Sequence, residues 1–259
     1  MQEFKGKVAL VTGAAQGIGE AVVRALALQG AVVAAVDKQG EAIGKLAAEL
    51  TDQGLTVFAY PADVTDSEST QAVVDSVERE LGPIELLVHA AGVLRMSAIT
   101  EMTDKDWLDV MAVNLNGVFH VSRAVLTHMK PRRQGAVVTV SSNAASIPRM
   151  QMGAYASSKA AVTMFTKCLG LELAEYGIRC NIVSPGSTDT PMLRSMWEDE
   201  HGAERTIAGS PHAYRTGIPL KKLATPEDIA NSVLFLLSEQ AGHLTMHDLR
   251  VDGGATLGA

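Results

Sequence analysis

The sequence of 259 residues has few cysteines, no long apolar run and fewer basic than acidic residues, and each shortage excludes a class of protein. Its two cysteines, Cys168 and Cys180, cannot build a disulfide framework and lack metal-ligand spacing, so we expect free thiols in a reducing compartment. No apolar run reaches the roughly 18 residues of a transmembrane helix. Residues 1–6 contain no apolar signal-peptide core. These shortages predict a cytoplasmic protein without a metal or a membrane partner.

Positive charge is also scarce. Lys and Arg number 22 against 29 Asp and Glu, a formal charge of −7. Nucleic-acid phosphates attract clustered basic residues, and the densest cluster here, residues 130–133, is too short. We therefore expect no nucleic-acid partner. The hydrophobic fraction of 47% and the charged fraction of 20% are ordinary for a globular domain and wrong for a disordered chain.

Short apolar runs, most of them rich in valine, recur along the chain and are typical of strands buried on both faces of a parallel sheet. They cover residues 8–12, 31–36, 56–59, 86–88, 136–140, 180–183 and 249–251. Amphipathic stretches between them predict helices. These cover residues 18–29, 41–53, 67–81, 103 to about 130 ahead of Pro131, 155 to about 176, and a last one opened by Thr225-Pro226. The alternation predicts one α/β domain over residues 1–259. Its doubly wound, Rossmann-like parallel sheet has about seven strands, with helices on both faces.

One interval, residues 188–219, breaks the alternation. Long insertions after a strand often serve as active-site lids, and the alternative is a surface excursion that only packs. We expect this segment to be a substrate lid.

A glycine-rich turn over residues 12–19 follows the first strand and opens the first helix. Glycines there let the backbone approach a pyrophosphate, and the helix N-terminus offers free N–H groups. Asp37 ends the second strand, where an acid bonds an adenosine ribose and repels a 2′-phosphate, which favours NAD over NADP. Lys38 weakens this preference because it could tolerate that phosphate. Asp63 and Val64 are placed to meet the adenine, although Asp63 equally suits the entry of the next helix.

Tyr155 and Lys159 lie four residues apart in a helical pattern, and therefore on one helix face. A free tyrosine has a pKa of about 10, and a nearby ammonium favours the phenolate and lowers that pKa. Such a pair can act as general acid and base on a hydroxyl. Ser141 and Ser142, at the end of the fifth strand, precede the same helix and strengthen this interpretation.

Taken together, these motifs make the chain resemble the short-chain dehydrogenase/reductase family over essentially its whole length. The resemblance rests on the glycine turn, Ala90-Ala-Gly92, Asn114, Ser142, Tyr155 with Lys159, and Pro185-Gly186. It implies Tyr155 as the acid/base and Lys159 as the group that holds the nicotinamide ribose and tunes Tyr155. It also implies that Ser142 orients the substrate hydroxyl and that Asn114 holds a proton-relay water. Family members are usually tetramers or dimers, so we expect a homotetramer.

The resemblance also implies which residues contact the NAD cofactor. They are Gly13, Gln16, Gly17, Ile18, Gly19, Asp37, Asp63, Val64, Ala90, Ala91, Gly92, Asn114, Tyr155, Lys159, Pro185, Gly186, Thr188 and Thr190. The chain departs from the family at His89, where Asn is usual, and we do not expect His89 to act as a catalytic base.

Two arginines flank the expected nicotinamide pocket: Arg95 after the Ala-Ala-Gly turn, and Arg149 between Ser142 and Tyr155. An arginine can bind a carboxylate through two hydrogen bonds. A solvated arginine with a surface partner is the alternative for either one. Two of them in pocket-lining loops suggest a small acidic substrate. Apolar walls could come from Met150, Met152, Met192 and Trp197, for which core packing is the alternative.

Segments 140–145, 148–149, 183–190, 217–220 and 251–259 narrow the resemblance to family members of catecholate siderophore biosynthesis. These oxidise a small acidic cyclic diol, a cyclohexadiene diol carboxylate, to a catechol with NAD. One alternative is a dehydrogenase of another ring acid, such as a dihydro-hydroxyanthranilate. A 3-oxoacyl reductase is disfavoured by Asp37 and by the paired arginines. A catalytically silent NAD-binding protein would have no need of an intact Ser142, Tyr155, Lys159 and Asn114.

Overall fold

Each of the seven predicted apolar runs forms a strand in the computed structural model, which describes residues 3–258. Residues 1, 2 and 259, which the predicted domain and the analysis of residues 1–6 include, lie outside the described residues. All strands are parallel and are ordered β3-β2-β1-β4-β5-β6-β7. Their bounds are β1 Val8–Thr12, β2 Val32–Asp37, β3 Val57–Pro61, β4 Ile84–His89, β5 Gly135–Val140, β6 Ile178–Pro185 and β7 Asp248–Val251. The predicted doubly wound fold is confirmed.

Helices cover both faces of the sheet, which is why its central strands carry apolar side chains in both directions. The helices are α1 Gly17–Leu28, α2 Gly40–Asp52, α3 Ser67–Glu80, α4 Asp104–Met111, α5 Gly117–Arg132, α6 Gly153–Leu173, α7 Pro191–Arg194, α8 Gly202–Ala208 and α9 Pro226–Leu237. One core contains α1, α2 and α9, with residues such as Leu26 and Leu236. The other contains α3, α5 and the end of α6, with residues such as Val77 and Met129. Full burial of each such side chain contributes roughly 1.5–3 kcal/mol.

The single helix predicted from residue 103 to about 130 is wrong in two respects. It consists of α4 and α5, joined by a π-helical turn over Ala112–Asn116. Pro131 lies inside the last turn of α5 instead of beyond the helix. Near a helix end a proline removes only one backbone donor, and α5 stops directly after it, where Arg133 adopts a left-handed φ of 54°. Thr103 caps α4 by accepting a hydrogen bond from the Asp106 backbone N–H.

The 188–219 segment is folded. It contains α7, α8 and a 3-10 turn over Pro211–Ala213, and a parallel bridge joins Thr188 to Ala224 where the chain returns to the sheet. Within residues 3–258, no helix is both long enough and apolar enough to cross a membrane. The same residues hold no cluster of His, Cys, Asp or Glu arranged as a metal site.

Candidate active site

The site lies where the strand order reverses, with β2 on one side of β1 and β4 on the other. In open parallel sheets, ligands bind at such a switch point, beyond the carboxyl ends of the strands. Two adjoining cavities open there, and both are lined by Ile18, Ala90, Gly92, Thr190 and Met192. They are therefore two parts of one cleft.

The glycine turn beneath the first cavity cannot carry side chains. Gly13 and Gly17 have φ of 69° and 59°, a region that side chains disfavour. A Cβ atom on Gly19 would lie 2.0 Å from the carbonyl oxygen of Gly13. No side chain caps the start of α1, since the N-cap residue Gln16 makes no capping hydrogen bond. The first N–H groups of α1 thus remain available to an anion.

Twelve of the predicted cofactor contacts line this first cavity. They are Gly13, Gln16, Gly17, Ile18, Gly19, Asp37, Asp63, Val64, Ala90, Ala91, Gly92 and Thr190. Lys38, Gln39 and Val113 join them. A glycine turn, an uncapped helix start and an acid at the end of β2 are the features that fit a dinucleotide.

The two acids of the cavity differ in how their carboxylates are used. Asp37 is 9% exposed and accepts backbone hydrogen bonds from Ala15 at 3.2 Å and Gln39 at 2.9 Å. Asp63 accepts from the backbone and the hydroxyl of Thr65, at 2.9 and 2.8 Å. Burial raises the pKa of Asp63, but the bonds from Thr65 outweigh it, and the net shift is downward. Asp63 therefore fastens the chain ahead of α3 and also faces the cavity.

The second cavity holds the predicted acid/base group. Ser142, Tyr155 and Lys159 line it, together with Pro185, Gly186 and Thr188. The end of β5 is fastened to α6 by Ser141, whose hydroxyl bonds the Lys159 carbonyl at 3.1 Å. Ser142, one residue on, accepts a hydrogen bond from the Ala144 N–H. Both serines line the cavity, but the Ser141 hydroxyl is engaged by α6 through the Lys159 carbonyl and Thr163.

Burial shifts the pKa values of both members of the Tyr155–Lys159 pair towards their neutral forms. It raises the pKa of Tyr155 above its ordinary value, and hydrogen bonding with Ser142 opposes that rise. It lowers the pKa of Lys159 to about 8. The sequence predicts a lowered pKa for Tyr155, whereas in the protein alone the desolvation of the phenolate outweighs the hydrogen bond with Ser142, and the net shift of the pKa is upward.

Asn114 lines neither cavity but supports both. Its side chain accepts from the Val93 N–H at 2.8 Å and donates to the Val93 carbonyl and to Ser158 at 3.0 and 2.9 Å. The π-helical turn that carries Asn114 is a rare element, common at functional sites. Here it ties the loop after β4 to α6 next to Lys159, whose Nζ atom lies 3.5 Å from the position of a Cβ atom on Gly92.

His89 lies apart from the chemistry. It is 2% exposed, its Nε2 atom bonds the Ser122 hydroxyl at 2.9 Å, and it lines neither cavity. Burial lowers its pKa to about 3, so it is neutral at physiological pH.

Of the predicted substrate residues, Arg149, Met152 and Met192 line the cavity of Tyr155 together with Ser142. The other three do not, which corrects the prediction. Arg95 is exposed, donates to the Leu94 carbonyl and faces Asp106 at 3.8 Å. Met150 is 58% exposed.

The third misplaced residue is Trp197, which packs on α8: a Cβ atom on Gly202 would lie 2.1 Å from its ring. In its place the neighbouring Met196 lines the cavity. Arg215 and Leu94, which the sequence does not predict as site residues, also line the cavity. In the sequence, Arg215 is recognisable only as a basic residue between two glycines of the inserted segment, and no family motif includes it.

Comparisons with known proteins agree with this geometry. A model described as short chain dehydrogenase matches residues 7–201. The chain belongs to the short-chain dehydrogenase family. Membership makes it an oxidoreductase.

Individual family members match over nearly the whole chain. A 2,3-dihydro-2,3-dihydroxybenzoate dehydrogenase of Bacillus subtilis is 59% identical over 255 residues, covering 98% of each chain. A vibriobactin-specific enzyme of the same description from Vibrio cholerae is 44% identical, covering 99% of this chain and 98% of its own. A gluconate 5-dehydrogenase from Burkholderia cenocepacia, solved with NADP and tartrate, superimposes with a TM-score of 0.91. It is 30% identical and covers 99% of this chain and 97% of its own.

Proposed function

We propose that the protein oxidises 2,3-dihydro-2,3-dihydroxybenzoate to 2,3-dihydroxybenzoate with NAD. The observation that carries the proposal is that Arg149 and Tyr155 line one cavity beside the glycine-turn cavity. A ring diol that bears a carboxylate offers a partner to each group. The full-length likeness to enzymes described by this substrate supports the same choice.

The chain's own residues bind, orient and deprotonate the substrate in this proposal. Arg149 takes the carboxylate, and Met152 and Met192 supply apolar walls to the ring. Ser142 holds the ring hydroxyl, and Tyr155 as phenolate removes its proton. Lys159 stabilises the phenolate and holds the nicotinamide ribose, while Asn114 keeps Lys159 in place and supports a proton-relay water.

A bound NAD would supply the acceptor for the hydride that leaves the substrate carbon, and its positive charge would favour the phenolate of Tyr155. The ring ketone that results enolises to the catechol, and the gain of aromaticity draws the reaction forward. Positioning the hydride donor against the acceptor is the main task of the protein.

NAD is proposed over NADP because of Asp37. Its carboxylate lies at the end of β2, on the wall of the cofactor cavity, where it would accept bonds from ribose hydroxyls and repel a 2′-phosphate. Lys38 is the opposing charge. We expect kcat/KM with NAD to exceed that with NADP, and Asp37→Ser to reduce the ratio at least tenfold. An unchanged ratio in Asp37→Ser would contradict this role.

The experiment that tests the proposed function is a substrate comparison under one set of conditions. Purified protein is supplied with NAD and 2,3-dihydro-2,3-dihydroxybenzoate, or with NADPH and a 3-oxoacyl thioester, and the products are identified by mass. We expect 2,3-dihydroxybenzoate from the first pair and little turnover of the second. Preference for the thioester would make the protein a 3-oxoacyl reductase instead.

A further inference from the structure

Two arginines differ from the other ten in having no hydrogen-bond or ion-pair partner among residues 3–258. The sequence contains twelve arginines. Among residues 3–258, ten donate a side-chain hydrogen bond to a carboxylate, hydroxyl or carbonyl. The two that have neither such a bond nor an ion pair within this described range are Arg149 and Arg215. Both line the cavity of Tyr155.

The positions of Arg149 and Arg215 are less favourable for a charged side chain than the protein surface is. Both side chains are half-buried. Burial lowers the pKa of each, and for Arg149 the charge of Arg215 lowers it further. Two cations that are close enough to disfavour each other, and partly removed from water, are stable together when an anion lies between them.

No acid of the described chain forms an ion pair with either arginine, although the charge of Asp252 partly offsets the effect of burial on Arg149. Asp252 is the acid whose charge acts on Arg149. Its carboxylate already accepts from the Thr256 hydroxyl at 2.7 Å, the Thr256 N–H at 3.1 Å and the Gly254 N–H at 2.9 Å. The two guanidinium groups are therefore left available to an anionic ligand of the cavity.

The backbone that carries Arg215 is closed into a tight loop. Arg215 and Ser210 exchange two backbone hydrogen bonds of 2.9 Å. At the base of the loop, Gly209 and Gly217 cross so closely that a Cβ atom on Gly217 would lie 2.5 Å from the Ala208 carbonyl oxygen. The Ile218 N–H then bonds the Ile207 carbonyl at 2.9 Å. A closed loop loses little freedom when its arginine binds a ligand, which favours affinity.

We propose that Arg215 is a specificity-determining residue: with Arg149 it forms a two-arginine clamp that selects ring substrates bearing a carboxylate. Arg149 comes from the segment between β5 and α6, and Arg215 from the inserted segment 188–219. The carboxylate thus joins the insertion to the wall that carries Tyr155. This inference rests on the proposed function for the identity of the ring diol, but not for its charge.

The direct test compares two ligands that differ only in the carboxylate, 2,3-dihydroxybenzoate and catechol. Binding to the NADH-saturated protein is measured by calorimetry for the wild type, Arg215→Met and Arg205→Met. Arg205 lies in the same inserted segment but is exposed and paired with Asp199, so its variant is the matched control. We expect Arg215→Met to weaken 2,3-dihydroxybenzoate roughly 10- to 100-fold, the effect of a lost charged hydrogen bond. Catechol binding should change less than about threefold, and Arg215→Lys should restore part of the loss.

Turnover gives the second readout. With 2,3-dihydro-2,3-dihydroxybenzoate, Arg215→Met should raise KM far more than it lowers kcat, because the lost contact is to a part of the substrate that does not react. Equal weakening of both ligands, or unchanged 2,3-dihydroxybenzoate binding, would overturn the clamp. If the wild type binds 2,3-dihydroxybenzoate but does not oxidise the diol, the proposed function is wrong while the binding comparison still decides the role of Arg215.

Discussion

Lys159 Nζ lies 5.7 Å from the centroid of the Tyr155 ring and donates a 2.9 Å hydrogen bond to the Val140 carbonyl. The carbonyl at the end of β5 thus fixes the ammonium near the phenol. Because both groups are buried and lie close together, we expect the loss of a proton by one to change the pKa of the other, so that the pair titrates as a unit. The pKa at which the pair loses its first proton determines the pH above which we expect the protein to act as a base.

The rate of diol oxidation should rise with pH. Oxidation needs a pair that has already lost one proton, and burial lowers the pKa of Lys159 to about 8. Below that pH the pair holds both protons and accepts none from the substrate. We expect log kcat/KM to rise with a slope of one up to about pH 8 and then to level off.

The control for this profile is Lys159→Met, which should abolish most activity and remove or move the rising limb. The pH profile of kcat/KM, measured from pH 6 to 9 in both proteins, tests the coupling. The coupling would be contradicted if kcat/KM of the wild type did not depend on pH, or if Lys159→Met showed the same rise of kcat/KM with pH.

Gly19 and Gly44 form a matched pair for testing the cofactor turn. In Gly19→Ala, the new Cβ atom would lie 2.0 Å from the Gly13 carbonyl oxygen, so the turn must move. We expect a loss of about 1–3 kcal/mol in unfolding free energy and at least tenfold weaker NAD binding.

Gly44 lies on the exposed side of α2 with no atom within 4 Å of a Cβ position. There alanine should stabilise by about 0.5–1 kcal/mol and leave NAD binding unchanged. Denaturation and calorimetry check both, and equal NAD affinity in the two variants would refute the need for glycine at residue 19.

His89 should make the protein sensitive to acid. Burial lowers its pKa from 6.5 to about 3, so between these values the unfolded state binds a proton that the folded state does not. Stability is therefore lost as the pH falls below 6.5, by about 1.4 kcal/mol per pH unit from this group. Denaturant unfolding of the wild type and His89→Asn at pH 7.5, 6.5, 5.5 and 4.5 isolates its contribution from that of the carboxylates. We expect the wild type to lose stability more steeply than the variant below pH 6.5, and parallel curves would show that His89 binds a proton in the folded state.

The fold follows from the sequence because its signals are local. Valine-rich runs without alternation predict buried parallel strands, and Thr225-Pro226 predicts the start of α9, where a capping box with Asp228 is present. The break at Asn114 could not be predicted in this way. It depends on side-chain bonds from Asn114 to Val93 and Ser158, which are distant in sequence. Pro131 was misjudged because a proline is tolerated in a terminal helical turn.

The site follows from the sequence only where motifs mark it. Tyr155 and Lys159 are found by their spacing, and Asp37 by its distance from the glycine turn. Arg95 and Arg149 have similar positions relative to the motifs in the sequence. In the folded chain, however, Arg95 faces Asp106 and Arg149 lines the cavity. Arg215 reaches the cavity through a loop closed by glycines, at a distance that no local pattern encodes. The expected homotetramer, the lid motion of residues 188–219 and the cytoplasmic location stay predictions.

The most direct test of the account is NADH formation from 2,3-dihydro-2,3-dihydroxybenzoate by the wild type and Tyr155→Phe, measured side by side with NAD binding. The substitution removes the phenolic oxygen and keeps the ring, so the cleft should stay intact. We predict NAD-dependent turnover in the wild type, a loss of at least about 10²–10⁴-fold in Tyr155→Phe, as expected for a general base, and NAD affinity within about threefold. Full activity in Tyr155→Phe would contradict the assignment of Tyr155 as the base on which the mechanism depends.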